Sequence, residues 1–161
     1  MDVRQAREGD GHGWVRVISQ VAAERDFILT ESPVDEQALH DRFLASLADE
    51  HVLRVAVDDE GDVVGTAGLH PGSAPGVWSL GMCLISDARG RGLGSRLLDA
   101  LLEAAHASAA HKVELGVYPR NGRAVALYAS RGFVVEGLLR GHHRRADGEL
   151  RDVLVMGLPL S

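Results

Sequence analysis

Cysteine is almost absent from this chain, and so are long hydrophobic runs. Cys83 is the only cysteine, so the chain can form neither an internal disulfide nor a cysteine-rich metal site, which fits a reducing compartment. The start of the sequence lacks the apolar segment of a signal peptide, and no apolar run approaches the roughly 18 residues that a membrane-spanning helix needs. We therefore expect a cytoplasmic protein with no membrane partner and no bound metal.

An excess of basic residues is also missing. The formal net charge is -6, whereas a nucleic-acid-binding protein normally carries a basic face, so we expect no nucleic-acid partner. The acidic balance favours a positively charged small substrate over a polyanionic polymer. Arginines nevertheless cluster at two places, which allows local anion-binding pockets. These arginines are Arg89, Arg91 and Arg96 in one cluster and Arg140, Arg144 and Arg145 in the other.

The length and composition predict one globular core. The chain has 161 residues with 45% hydrophobic content, and no repeat or linker interrupts it, so residues 1–161 are expected to form a single domain. A short strand is predicted at "VRQA". After a turn rich in glycine and aspartate, Trp14, Ile18 and Val21 recur at helical spacing and predict the first helix.

The segment "ESPVDEQALHDRFLASL" predicts the second helix. Ser32 would be its N-cap residue, Pro33 its first helical residue, and Asp35 would lie in the first turn. Two apolar runs then flank an acidic turn in "HVLRVAVDDEGDVVGTAGLH", which predicts an antiparallel hairpin. The next run, "VWSLGMCLI", is almost continuously apolar, as in a strand buried on both faces near the middle of a sheet.

The second half alternates helices and strands. A leucine stripe predicts a helix that starts near Gly94, followed by the strand "KVELGVY" and by the helix "GRAVALYASR", which would end at Gly132. Two final strands, "FVVEGLLR" and "LRDVLVMGLPL", are joined through "ADGE". This order predicts an α+β fold with a mixed sheet of about six or seven strands and about four helices.

The stretch "SDARGRGLGSRLL" leaves a buried strand and opens a helix. Backbone N–H groups at such a helix start form an anion site, and glycines at 90, 92 and 94 let a phosphate approach the backbone. The neighbouring arginines would add positive charge. A P-loop is excluded because the stretch has no lysine. A dinucleotide fingerprint is disfavoured because Ser95 takes the place of its third glycine and the loop does not follow the first predicted strand.

Two motifs together carry a family resemblance. Arg89, Gly92 and Gly94 match the pattern [RQ]-x-x-G-x-[GA], and "NGRAVALYASRGF" further along matches N-x-x-A-x-x-L-Y-x-x-x-G-F. The sequence therefore resembles the GNAT superfamily of N-acetyltransferases, over the span from about Val3 to Leu158. The C-terminal pattern "GFVVEGLLRGHHRRADGELRDVLVM" is similar to the branches that acetylate amino acids, antibiotics and ribosomal proteins.

This resemblance implies acetyl-CoA as co-substrate. Its pyrophosphate would lie on the glycine loop, and its pantetheine would hydrogen-bond into a gap between splayed fourth and fifth strands. An N–H group near Met82 to Leu84 would stabilise the oxyanion of the attacked thioester. The implied cofactor-binding residues are Met82, Leu84, Ser86, Arg89, Gly90, Arg91, Gly92, Leu93, Gly94, Ser95, Asn121 and Tyr128.

Tyr128 matches the family tyrosine that donates a proton to the departing thiolate. Asn121 matches a position that contacts the cofactor or an ordered water, and it could equally be a helix N-cap. The general base is less clear, because the fourth strand has no acidic residue. Glu114 on the fifth strand is the nearest acidic substitute, unless it faces solvent or pairs with an arginine. Glu31 and Asp152 are candidates for binding a cationic amine or for pairing with a local arginine.

Two further groups are interpreted as structural. Cys83 is expected to be a buried small hydrophobic residue, since direct transfer needs no covalent intermediate. His142 and His143 would point to opposite faces of a strand, which is a poor metal arrangement, so "RGHHRR" is interpreted as a solvated hairpin, unless it helps to bind the ribose phosphate of the cofactor.

The hypothesis is an acetyl-CoA-dependent N-acetyltransferase in which a primary amine attacks the thioester directly. The expected acceptor is an amino acid, an amino-acid-like antibiotic or a polyamine. A protein N-terminus is the alternative acceptor, and a non-catalytic acyl-CoA-binding regulator is the alternative function. The resemblance also implies a possible homodimer.

Overall fold

The computed structural model describes residues 1–49 and 51–161. Its core element is a seven-stranded mixed sheet with the strand order β1-β2-β3-β4-β5-β7-β6. The strands are β1 (Asp2–Gln5), β2 (Val52–Val57), β3 (Val63–Pro71), β4 (Val77–Leu84), β5 (Lys112–Val117), β6 (Val134–Arg144) and β7 (Leu150–Pro159). The helices are α1 (Gly11–Glu24), α2 (Glu36–Ala48), α3 (Leu93–Ala107) and α4 (Gly122–Ser130). The predicted α+β class, with its mixed sheet and its helix number, is confirmed.

The helices are amphipathic, and their apolar faces divide the core in two. On one side of the sheet α3 buries the predicted leucine stripe, with Leu97, Leu98 and Leu101 fully inaccessible, and α4 adds Tyr128 to the same cluster. On the other side Trp14 of α1 packs against Phe43 of α2 with ring centroids 5.1 Å apart. The sheet is therefore covered by helices on both faces.

The start of α2 differs from the prediction. Asp35, rather than Ser32, is the N-cap residue, because its side-chain oxygen accepts a hydrogen bond from the backbone N–H of Ala38 at 3.0 Å. Both residue types favour an N-cap, and this hydrogen bond marks the first turn of the helix. The segment of residues 25–35 therefore lies outside the helices and connects α1 to α2.

The middle of the sheet opens between β4 and β5. These parallel strands pair only where Val77–Ser79 meets Lys112–Glu114. Beyond Ser79, β4 keeps its antiparallel pairing with β3 alone, while β5 continues to pair with β7. The predicted splay of the fourth and fifth strands is thus confirmed. It also leaves most of β4 only partly buried, although its apolar sequence predicts burial on both faces.

The hairpin of β6 and β7 closes the sheet at one edge. Its register shifts between Leu139 and His143, where Gly141 has a φ of 56°. Arg145 follows the end of β6 and is 1% exposed, so the stretch "RGHHRR" is not the fully solvated hairpin that its charge predicts. Among the described residues, none of the helices has the length and hydropathy to cross a bilayer.

Candidate active site

The glycine loop leads from β4 into α3 and presents free backbone donors. Within the described part of the chain, none of the N–H groups of residues 90–95 donates to a protein acceptor; Arg96 is the first, donating to the Gly92 carbonyl at 3.1 Å. Gly90 and Gly92 have φ values of 74° and 80°, a conformation that costs other residues about 1–2 kcal/mol. The loop borders a cavity of about 390 Å³, which we call the donor cavity. Consecutive free N–H groups at a helix N-terminus suit a phosphate.

The exposed edge of β4 offers donors to the same space. The N–H of Ile85 donates to the Val64 carbonyl of β3 at 3.0 Å. Because backbone groups alternate sides along a strand, the N–H groups of Met82 and Leu84 face away from β3 and into the gap. Met82 and Leu84 both line the donor cavity. An extended ligand can therefore lie beside β4 as an additional strand would.

A second cavity of about 290 Å³ lies against α1, α2 and β3, and we call it the acceptor cavity. Its wall is mostly apolar and includes Trp14, Leu39 and Phe43. The two cavities meet, because several residues border both of them. The shared residues are Phe27, Ile28, Met82, Cys83, Asn121, Ala124 and Tyr128.

Tyr128 stands at this junction. Its side chain is 7% exposed, and burial raises the pKa of its hydroxyl above the ordinary value, with the nearby Cys83 adding to the effect. No protein group among the described residues hydrogen-bonds the Tyr128 hydroxyl, while Phe133 packs against its ring with centroids 5.7 Å apart. Tyr128 therefore places a protonated hydroxyl between the two cavities, and among the described residues this hydroxyl has no protein hydrogen-bond partner.

The sequence profile of the acetyltransferase (GNAT) family matches residues 19–133. This span holds the glycine loop, the splayed strands and Tyr128. The chain belongs to the GNAT family. It is accordingly an acyltransferase, and acetyl-CoA is its acyl donor.

Named relatives of this GNAT chain act on small amines and on a ribosomal protein. An L-methionine sulfoximine/L-methionine sulfone acetyltransferase of Pseudomonas paraeruginosa is 28% identical over 139 residues, which cover 84% of this chain and 81% of the relative. The ribosomal-protein-alanine N-acetyltransferase of Brucella melitensis has a TM-score of 0.90 at 28% identity, covering 99% of this chain and 100% of its own. A phosphinothricin acetyltransferase of Sinorhizobium meliloti, solved with acetyl-CoA, shares the fold with a TM-score of 0.89 at 22% identity, covering 99% and 88%.

The residues present fit acetyl-CoA. The free N–H groups of residues 90–95 suit its pyrophosphate, and the unpaired edge of β4 at Met82 and Leu84 suits its pantetheine. Among the described residues, no group of three or more histidine, cysteine or acidic side chains is placed to hold a metal ion.

The arginines of the GNAT loop are placed differently from the prediction. Arg89 lines the donor cavity, but its guanidinium is engaged by protein groups: both of its terminal nitrogens bond Glu24 at 2.8 Å, and it also donates to the Leu84 carbonyl. Arg96 pairs with Asp2 at 2.9 Å, and Arg91 borders a separate cavity near Met1. Arg123 lines the donor cavity as well and adds positive charge beside the loop.

Asn121 is the N-cap residue of α4, since its side-chain oxygen accepts from the Ala124 N–H at 3.3 Å, and it also lines both cavities. Leu93 is buried at the start of α3. Ser86 lies in a short 3-10 turn, where its carbonyl accepts from the Arg89 N–H, and it borders neither the donor nor the acceptor cavity.

The Cys83 thiol lies 3.5 Å from the Thr66 hydroxyl. Burial raises the pKa of this thiol to about 11, so Cys83 stays protonated at neutral pH.

The predicted acidic residues are engaged outside the acceptor cavity. Glu114 lies where β4 and β5 still pair, and its carboxylate accepts from the Ser73 N–H at 2.7 Å and from the Ser73 hydroxyl at 2.8 Å. Asp152 accepts from the Gly141 N–H at 2.7 Å and so supports the irregular register of β6. We therefore do not retain Glu114 as the base or Asp152 as an amine-binding residue.

Glu31 is held by the hairpin. Its Oε1 lies 3.0 Å from Nε of Arg145, whose side chain is fully buried. Arg145 also donates to the Tyr118 hydroxyl at 3.0 Å, and that hydroxyl lies 2.5 Å from His143 Nδ1. Glu31 therefore serves as the counter-charge of a buried arginine. Of the two roles that the sequence allowed for Glu31, this is pairing with a nearby arginine rather than binding a cationic amine.

Sequence reasoning missed His70 and Arg42. Both line the acceptor cavity, His70 from β3 and Arg42 from α2. No motif contains either residue, and the signal that could have found His70 is the alternation of β3, which places Thr66, Gly68 and His70 on one face. His70 Nδ1 lies 3.3 Å from His51 Nδ1.

Proposed function

We propose that this enzyme acetylates the primary amino group of a small amino-acid-like molecule by direct attack on acetyl-CoA. The observation that carries the proposal is the junction of the two cavities at Tyr128. One cavity has the phosphate-binding loop, and the other is an apolar pocket of about 290 Å³, near the lower end of the range for small-molecule sites. A thioester and an amine can meet only where these cavities join.

On the donor side, acetyl-CoA supplies an acetyl thioester. The N–H groups of residues 90–95 bind the pyrophosphate, and those of Met82 and Leu84 face the pantetheine arm. An N–H group facing the gap at Met82 or Leu84 can also stabilise negative charge on the thioester oxygen. Leu84 can offer the pantetheine arm only its N–H group, because its carbonyl already accepts hydrogen bonds from Arg89.

Two side chains that line the acceptor cavity can transfer protons, one as an acid and one as a base. Tyr128 keeps its proton at neutral pH because burial raises its pKa, so it can protonate the departing thiolate. The amine, with an ordinary pKa of about 10.4, must lose a proton before it attacks. Among the residues that the structure describes, the ionisable side chains that line the cavity are Arg42, His70, Cys83 and Tyr128.

His70 is the member of this set that can accept the amine proton. Burial lowers its pKa, and His51 and Arg42 lower it further, so its imidazole is neutral at pH 7. When His70 Nδ1 donates to His51, Nε2 keeps a lone pair. Nε2 lies over Gly68 of the cavity wall, since a Cβ placed on that glycine would be 3.0 Å from it. His70 is thus placed to take the proton directly or through a water.

The choice among amine classes rests on charge. None of the described residues that line the acceptor cavity is an aspartate or a glutamate. A polyamine, which carries several positive charges, would find no counter-charge there. The relatives that act on methionine sulfoximine and methionine sulfone support an amino-acid-like acceptor instead.

The experiment is an acceptor screen with purified protein and acetyl-CoA, in which the release of free thiol is followed. We expect release that depends on amino-acid-like amines, with L-methionine sulfone as the first probe and spermidine as the polyamine control. Mass spectrometry of the product should show one added acetyl group on nitrogen. Tight CoA binding without release from any amine would support the regulatory alternative instead.

A protein N-terminus is a second candidate acceptor, and the similarity to the ribosomal-protein-alanine N-acetyltransferase supports it. Short peptides that begin with alanine belong in the same screen. A kcat/KM for such a peptide above that for every free amino acid would favour this candidate.

The homodimer and the cytoplasmic location stay predictions.

A further inference from the structure

The acceptor cavity has a floor of glycines from three neighbouring strands. Among the described residues, the glycines that line it are Gly68 of β3, Gly81 of β4 and Gly116 of β5. Gly68 and Gly81 are directly opposite in the pairing of β3 with β4, so they share one face of the sheet. Thr66 and Cys83 form the next pair on this face and also line the cavity. At the level of the glycines, a ligand in the cavity therefore meets the backbone of the sheet.

Packing explains the absence of a side chain at two of these three positions. A Cβ on Gly68 would be 3.0 Å from both His70 Nε2 and Leu53 Cδ2, and a Cβ on Gly116 would be 3.1 Å from Val153 Cγ1. Contacts between non-bonded carbon atoms are optimal at about 3.5–4.0 Å, so both positions are too crowded for a Cβ. Gly68 and Gly116 are therefore required by the side chains that pack over them.

No packing contact requires glycine at Gly81. Apart from its two chain neighbours, no described residue has an atom within 4 Å of a Cβ placed there. Its φ is not positive, and the register of β3 and β4 runs without a bulge past it. Glycine in a strand interior costs stability relative to alanine, so the fold would tolerate a side chain at this position. A strand glycine of this kind is typical of a site where a ligand approaches the backbone closely.

The bare backbone at Gly81 lies between the groups that the transfer needs. His70 Nε2 is 3.0 Å from the Cβ position of Gly68, and the Cβ positions of directly opposite residues are about 4.5–5.5 Å apart. Nε2 is thus at most about 8.5 Å from the Cβ position of Gly81. The residue after Gly81 is Met82, whose N–H faces the gap in which the thioester would lie. A carbon atom that rests on Gly81 can therefore point an amine at the thioester and keep it within reach of His70, directly or through one water.

We propose that the amine-bearing carbon of the acceptor rests on Gly81, and that the missing side chain makes room for a second substituent on that carbon. This inference rests on the proposed function and names the substrate class of the same site. An amine on a CH2 group needs no such room, because that carbon carries only hydrogen atoms besides its chain. An α-amino acid needs it, because its amine-bearing carbon holds both a carboxylate and a side chain. Gly81 is therefore a specificity-determining residue that admits α-substituted amines.

The experiment compares three acceptors that differ only at the amine-bearing carbon. L-Methionine sulfone has a carboxylate there, and two analogues have a methyl group or a hydrogen atom in its place. The methyl analogue separates the size of the substituent from its charge. We expect Gly81→Ala to lower kcat/KM about tenfold for the two substituted acceptors, and Gly81→Val to lower it further. The unsubstituted analogue should change by less than about twofold in Gly81→Ala.

Stability and donor binding are measured in the same variants. Gly81→Ala should not lower the urea midpoint of unfolding, because the new methyl group enters open space and the strand loses a glycine. The Kd for CoA should also stay the same, since Gly81 does not line the donor cavity. A lower midpoint together with equal losses for all three acceptors would show a structural role and would overturn the proposal. So would a Gly81→Ala enzyme with unchanged kinetics.

Gly137→Ala is the matched control variant. Gly137 lies in β6 and lines neither cavity, and a Cβ placed on it would also have no described residue within 4 Å beyond its chain neighbours. This variant should leave kcat/KM unchanged for all three acceptors. A loss for the substituted acceptors as large as in Gly81→Ala would contradict a specific role of Gly81.

Binding without turnover separates this inference from the proposed function. Trp14 lines the acceptor cavity, and in a Trp78→Phe background it is the single tryptophan. Its fluorescence should report that Gly81→Ala weakens binding of the two substituted compounds and spares the third. If no amine is acetylated but this difference persists, the proposed function fails and the role of Gly81 stands. If amines are acetylated and Gly81→Ala affects all three alike, the reverse holds. A wild-type protein that binds none of the three compounds would overturn both.

Discussion

Nε of Arg145 lies 3.0 Å from Oε1 of Glu31, and this contact joins the hairpin of β6 and β7 to the segment between α1 and α2. The Arg145 side chain is fully buried, whereas the Glu31 side chain is 31% exposed. This segment, residues 25–35, also contains Phe27 and Ile28, which border both cavities. The ion pair therefore positions part of the active-site wall.

We expect Glu31→Gln to lower the free energy of unfolding by about 3 kcal/mol, because it leaves the buried guanidinium of Arg145 without its anionic partner. Chemical denaturation monitored by circular dichroism measures the change. Asp2→Asn breaks the pair of Asp2 with Arg96, whose side chains are both about half exposed or more, and should cost less than about 1 kcal/mol. Equal costs in the two variants would contradict a special role for the buried pair.

Tyr128→Phe should lower kcat on the order of a hundredfold, because the variant lacks the hydroxyl that protonates the thiolate. The phenyl ring keeps the packing against Phe133, so CoA affinity should change little. Steady-state kinetics and isothermal titration with CoA measure the two quantities separately. A kcat equal to that of the wild type would remove Tyr128 from the mechanism.

The features predicted correctly from the sequence are those that depend on local patterns of residues. The leucine stripe of α3 has a helical period, and glycine is required at Gly90 and Gly92 because both have positive φ. The start of α2 is the local error, since Ser32 and Asp35 are both good N-cap residues and sequence alone does not rank them.

The partners of charged side chains could not be predicted, because they come from distant parts of the chain. Arg89 and Glu24 are 65 positions apart, and Arg145 meets both Glu31 and Tyr118 only after the sheet has formed. For the same reason the sequence predicts Glu114 as the general base. In the folded protein its carboxylate accepts a hydrogen bond from Ser73, and His70 lines the acceptor cavity instead. Tertiary contacts decide which charged groups stay available for a ligand.

Arg123 should contribute to CoA binding, because it lines the donor cavity and its Nη2 would lie 3.7 Å from a Cβ on Gly90. We expect Arg123→Gln to weaken CoA binding about fivefold, which corresponds to about 1 kcal/mol for an exposed charge. The loss should shrink at high salt. Pantetheine, which lacks the phosphates, is the matched ligand, and an equal loss for pantetheine would show that Arg123 acts on something other than the phosphates.

The acidic limb of the pH profile should report His70. Burial holds its pKa below about 6.5, and His51 and Arg42 lower it further. The neutral imidazole is the form that accepts a proton, so kcat/KM should be constant above this pKa and fall as the pH drops through it. His70→Gln should lower kcat and flatten this limb.

His51→Gln tests the assignment in a second way. It removes one of the neighbours that lower the pKa of His70, so the limb should move to higher pH while the activity at alkaline pH is kept. Glu114→Gln is the matched control, because its carboxylate bonds Ser73 outside the acceptor cavity. A limb that survives in His70→Gln but disappears in Glu114→Gln would return the base role to Glu114 and would require β4 and β5 to rearrange during catalysis.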